Sequence, residues 1–157
     1  MPTYIPQHIV QSFKDTFSER MPDHHFAERQ LRPTDPALSL GVVVMSWEHL
    51  AASQQIGQVE PGMGRYTVRV QSMVKHLNEE QGRAIHNVQC ALVRAVLYRS
   101  EELRLRLIGV DEEIEGSAER VKRLGVRRQD FLSNQISGSF LYLCASEVYV
   151  ETEITLL

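Results

Sequence analysis

The sequence predicts an α+β domain on a mostly antiparallel sheet, in the order helix, strand, strand, helix, strand, strand, ending in a long β-hairpin. Three observations predict it. Apolar residues recur at helical spacing near the N-terminus and again in the middle of the chain. Two β-branched segments lie between those helices. Two long strand-like stretches then flank one turn sequence near the C-terminus. At 157 residues the chain is expected to form a single domain, 1–157, with one core.

The first helix is read from Tyr4 to Arg20, because Pro6 suits a first turn and Ile9, Phe13 and Phe17 share a face with Val10 beside them. Met21-Pro22 ends it. Residues 22–37 contain Pro22, Pro33 and Pro36 without periodicity, so they are expected to be extended and irregular, delivering the chain through a turn into a strand. Leu38 to Trp47 is that strand, with a bulge expected at Gly41. Arg65 to Leu77 is the second, with Tyr66, Val68, Val70 and Val74 on one face and Thr67, Arg69, Gln71 and Lys75 on the other. The connection from Glu48 to Gly64 is too long for an ordinary hairpin and is expected to be functional or disordered.

Asn78 is expected to cap the central helix, with Glu79 and Glu80 at the positive end of its dipole. Ile85, Val88, Leu92, Ala95 and Val96 read as its main buried stripe, with Cys90, Val93 and Leu97 adding apolar surface elsewhere. A helix apolar on more than one side is expected to meet the sheet and a further partner. Ser100-Glu101-Glu102 reads as a fresh cap for a short segment ending near Gly109, before an acidic turn at residues 111–116.

The C-terminal hairpin, about Glu119 to Ile154, carries a definite register. If Gln135 and Gly138 close the turn, Leu132 faces Leu141, Phe131 faces Tyr142 and Val126 faces Glu147. Lys122 then meets Glu151 and Arg120 meets Glu153. Arms of this length exceed the ~40 Å diameter of a domain of this size, so the hairpin must bend or project, and its edges invite pairing with another chain.

Nothing in the sequence identifies a reaction, so no catalytic, cofactor or metal residues are assigned and the chain is read as a non-enzyme. His24-His25 lacks partners at ligand spacing. Gly62-Met63-Gly64 lacks the Lys-Ser/Thr of a phosphate loop and precedes a strand. Cys90 and Cys144 read as small buried thiols. The basic run Arg120, Lys122, Arg123, Arg127 and Arg128 has no aromatic stacking array beside it, and intrachain or intersubunit ion pairs account for it better than a nucleic-acid platform. The net charge of −3 argues against whole-surface binding of nucleic acid. No apolar run reaches membrane-span length and no signal peptide is read at the start, so synthesis in the cytoplasm is expected.

Several stretches together resemble tail terminator proteins of long-tailed, siphovirus-type bacteriophages, most like those infecting actinobacteria. They are Leu31-Arg32-Pro33-Thr34-Asp35-Pro36, the strand from Leu40 to Glu48, Glu60-Pro61 ahead of Tyr66, the central amphipathic helix, and the closing Val148-Tyr149-Val150-Glu151-Thr152-Glu153. The resemblance implies a virion protein assembled in the host cytoplasm. It implies a homo-hexameric ring capping the tail tube at its head-proximal end, touching the major tail tube protein and the head-completion or stopper protein. DNA would pass through the lumen without specific binding, which suits a ring of negatively charged chains. Glu48, Glu60, Met63, Arg65, Arg120, Lys122, Glu151 and Glu153 are the candidate interface residues. The alternatives are another neck component, such as a head-closure or tail-completion protein, and a nucleic-acid-binding accessory protein.

Overall fold

The computed structural model describes residues 4–50, 62–108, 111–114, 117–136 and 138–156. Helix α1 (Ile5–Arg20) leads to a short strand β1 (His25–Ala27), then β2 (Leu38–Leu50) and β3 (Gly62–His76). Helices α2 (Glu79–Arg99) and α3 (Glu101–Ile108) follow, and β4 (Asp111–Ile114), β5 (Ser117–Ile136) and β6 (Ser139–Leu156) complete the chain. The six strands form one sheet in the order β1-β2-β3-β6-β5-β4. Among the described residues only the β1–β2 pairing is parallel. The α+β class, the mostly antiparallel sheet and the long C-terminal hairpin are as the sequence predicts.

One face of the sheet carries the helices and the core. Ile5, Ile9, Phe13 and Phe17 of α1 are fully buried against Leu40, Val42, Val68, Val70, Val148 and Val150 from the sheet. Burying each such side chain is worth about 1.5–3 kcal/mol, so α1 is held by its stripe rather than by helix propensity. Ser100 accepts a hydrogen bond from the Leu103 amide at 3.1 Å, capping α3 as expected. Arg104 closes the carbonyl end of α2 by donating to Leu97, Tyr98 and Ser100 oxygens at 3.0–3.1 Å. Arg106 then ties α3 to α1 through Thr16 and Glu19.

The second face is covered over β2 and β3 by the segment after β1. Leu31 donates its amide to Gln71 Oε1 at 2.8 Å, and Lys75 reaches the Pro33 carbonyl at 2.9 Å. Asp35 holds this segment in shape, accepting from both guanidinium nitrogens of Arg29 at 2.6 and 2.9 Å and from the Arg32 amide at 2.6 Å. These donors, Arg29 first, keep the Asp35 carboxyl well below the usual carboxylate range.

Several expectations change. The irregular stretch 22–37 contains β1, whose three residues are too few to show a period. The acidic turn contains β4, with Asp111 opposite Arg120 in the ladder. Gly41 is not a bulge. It is glycine because a Cβ there would lie 2.7 Å from the Arg29 carbonyl oxygen, and the bulge falls at Met45, between Val44 and Ser46. In α2 the buried face is Gly82, His86, Gln89, Cys90, Val93, Val96 and Leu97, whereas Ile85, Val88 and Leu92 are 39%, 61% and 41% exposed.

The hairpin closes at Ile136 opposite Ser139, with Gly138 at φ +80°. A left-handed position belongs inside the loop, which shifts the register by two residues from one with Gly138 in the closing pair. Leu132 therefore faces Leu143, Phe131 faces Cys144 and Val126 faces Val148. Bulges at Lys122 and Arg127 each absorb one β5 residue, so Arg120 still meets Glu153 as expected. Lys122 lies in a bulge and bonds Glu153, while Arg123 takes the place opposite Glu151.

Candidate assembly surfaces

The expected interface residues lie on neighbouring strands at one end of the sheet. Glu48 on β2 is opposite Arg65 on β3, and Arg65 is opposite Glu151 on β6. Met63 and Arg120 are both opposite Glu153, from β3 and β5 respectively. Glu60 lies outside the described residues. Strand pairing alone brings these positions together, since they are far apart along the chain.

Their side chains form an ion-pair ladder on the face away from the helices. Arg65 bonds Glu151 at 2.9 Å and Glu48 at 3.6 Å, and its guanidinium lies 4.6 Å from the centre of the Tyr149 ring. Arg123 also reaches Glu151, at 3.2 Å, and Lys122 reaches Glu153 at 3.6 Å. Further along, Glu147 pairs with Arg127 at 3.4 Å and Arg128 at 3.6 Å. The hydrogen bond to Glu151, opposed in part by desolvation, raises the Arg65 pKa above its ordinary value. The cations of the basic strand are thus partly matched by carboxylates of β6, with Glu147 shared by Arg127 and Arg128 and Glu151 shared by Arg123 and Arg65.

The tip of the hairpin is a different surface. Residues 131–136 are all exposed, and Phe131 and Leu132 are 60% and 61% accessible. Strands of 20 and 18 residues span about 60 Å at ~3.3 Å per residue, well beyond the ~40 Å diameter of a compact domain of this length. β3 nevertheless pairs with β6 as far as Phe140, and Leu141 and Tyr142 are buried, so the hairpin belongs to the sheet along its length and the exposed apolar residues lie on its outer strand β5.

A third surface lies on α2. Its outward apolar residues Ile85, Val88 and Leu92 join Ala84 and Leu38 around a groove of about 340 Å³. His24 lines the same groove, with both ring nitrogens buried and without a hydrogen-bond partner among the described residues. Burial pushes its pKa below the ordinary imidazole value, and Asp23 offsets part of that.

Beneath α2 lies a cluster that no spacing in the sequence signalled. Cys90 Sγ is 3.5 Å from His86 Nε2, and the His86 ring stacks on Tyr142 at 5.4 Å and meets the edge of Phe131 at 6.3 Å. The Cys144 thiol hydrogen-bonds the Cys90 sulfur, lowering Cys90, and the same bond with burial raises Cys144. Both thiols are sealed at 2% and 1% exposure, which withholds them from any substrate.

No family model and no curated protein matches the chain. Among solved structures it is similar to a chain of "Virion of native gene transfer agent (GTA) particle", at 12% identity over 91% of each chain with a TM-score of 0.41. A second solved chain, whose name states no function, shares 14% identity over 89% of this chain and 94% of its own length, with a TM-score of 0.33. Likenesses this distant carry no argument about function.

Proposed function

We propose that the chain is a structural virion protein and not an enzyme. It forms a homo-hexameric ring at the head-proximal end of a phage tail tube, ends tube polymerisation there, and offers the joining surface to a head-completion or stopper protein. The carrying observation is the outer strand β5 of the hairpin, which keeps Phe131 and Leu132 largely exposed near its end. Apolar side chains exposed on an open strand edge are a feature of chains that bury them against a partner. The stretches resembling tail terminators supply the identity of those partners. The groove on α2 and the ladder that includes Arg65, Glu151 and Glu153 provide further area for the tube and the stopper.

The test is native mass together with imaging. A six-fold ring that shortens tubes when added to polymerising tail tube protein is the expected result. A chain that stays monomeric to high concentration and leaves tube length unchanged would overturn the reading. Binding to a portal-bound adaptor in place of the tube would assign the chain to another neck position.

A further inference from the structure

Both edges of the sheet are open over long stretches among the described residues. On one side β1 covers only Ser39–Gly41 of β2, leaving Val42 to Leu50 without a neighbour. On the other side β4 covers only residues 117–120 of β5, leaving Val121 to Ile136 without one. Unpaired backbone N–H and C=O groups along an edge are a template for another strand.

The two edges complement each other. From β2 through β3 and β6 to β5 the strand direction reverses three times, so β5 runs opposite to β2. A second copy placed beside the first in the same orientation would set its β2 against the first copy's β5 as an antiparallel pair, with the helices of both on one side. Charge points the same way. The open part of β5 carries Lys122, Arg123, Arg127 and Arg128 against the single Asp130, and the three carboxylates of β6 beside it, one of them shared with Arg65, offset only part of that charge. The open part of β2 has no Lys or Arg and contains Glu48, and Glu28 lines a groove of about 570 Å³ that has Val44 and α1 for its other walls. Two β5 edges repel one another, so the basic edge selects the neutral-to-acidic β2 edge over its own kind.

We infer that copies of this chain join head to tail by strand addition, β5 of one against β2 of the next. The contact is heterologous, so repeating it gives a ring if the rotation closes. The inference rests on the reading of the chain as an assembling subunit and names the surface that does it.

Proline tests it at positions the fold can spare. Met45 and Arg127 are bulge residues with no directly opposite ladder partner, where proline is best tolerated. Met45→Pro blocks the β2 edge and Arg127→Pro blocks the β5 edge. Each variant alone is expected to lose association at least tenfold by sedimentation. An equimolar mixture is expected to give a heterodimer, since each variant keeps the edge the other needs. If either proline variant fails to fold by circular dichroism, Met45→Lys with Glu48→Lys sets like charge against β5 at exposed positions and is expected to weaken association to the same extent. Variants that fold and assemble like the parent chain would overturn the edge contact while leaving the ring reading intact. A parent chain that never associates would overturn both.

Discussion

His24 is the residue whose chemistry is most out of keeping with its surroundings. Its ring nitrogens have no partner among the described residues, and its folded pKa lies below that of an exposed histidine because burial disfavours the cation. The unfolded chain therefore binds a proton more readily than the folded one. The stabilisation is fully present above the unfolded value of about 6.5 and is lost as pH falls through the folded value. Thermal melts of the parent chain and His24→Gln between pH 7.5 and 5.5 check this. The parent should lose more stability over that range, and equal slopes would show that His24 is not the titrating group. From sequence, His24 read only as half of a doublet without ligands, because the groove over it forms only when α2 packs beside Leu38. The Cys90, His86 and Cys144 cluster was illegible for a similar reason. His86 and Cys90 are one helical turn apart, but Cys144 joins them only through the sheet.

At the scale of elements, periodicity located the long helices and strands and failed where two periods compete. Helix α2 is apolar on two faces, and the one with Ile85, Val88 and Leu92 points to solvent. The buried face holds Gly82, His86 and Gln89, which hydropathy ranks as outward. Packing explains the choice. A Cβ on Gly82 would lie 2.9 Å from His76 Cβ and Tyr142 Cε2, and Gln89 donates to the Met73 carbonyl at 3.0 Å. Tyr142 is itself pinned by its hydroxyl bond to the Glu79 carbonyl at 2.9 Å, so it cannot easily move aside. Gly82→Ala should therefore destabilise the fold by about 1–2 kcal/mol, because overpacking outweighs the helix-propensity gain of about 1 kcal/mol. A chemical denaturation midpoint equal to or above the parent's would refute the close approach.

The hairpin ladder gives a second prediction at this scale. Glu151 is 12% exposed and binds both Arg65 and Arg123, whereas Lys122 and Glu153 are more open and 3.6 Å apart. Screening by water weakens the second pair more. Double-mutant cycles should find stronger coupling for Arg65 with Glu151 than for Lys122 with Glu153, and none between Lys122 and Glu151. Measurable coupling in that last pair would mean β5 lacks the bulge at Lys122. The sequence indicated opposed charges across these strands, but bulges leave no mark in a charge pattern.

For the whole molecule, the decisive fact is that β5 is a long outer strand. β3 and α2 cover β6 up to Phe140 and Tyr142, while residues 131–136 of β5 all stand in water. Arm length was legible from the strand runs, but the expected projection is not seen, because β3, itself 15 residues long, pairs with β6 as far as Phe140. Which edge meets which copy was not legible, since it depends on strand order across the sheet. Stability and assembly should consequently separate at the tip. Leu132 is 61% exposed and faces Leu143 across the hairpin, so Leu132→Ser removes little buried area and should cost under about 1 kcal/mol. The same change places a hydroxyl where a partner would cover an apolar side chain, and it should weaken association or tube capping several-fold. Melting temperature and sedimentation measured on one preparation separate the two effects. A large fall in melting temperature would place Leu132 in the core, and unchanged association with unchanged stability would exclude the tip from the contact.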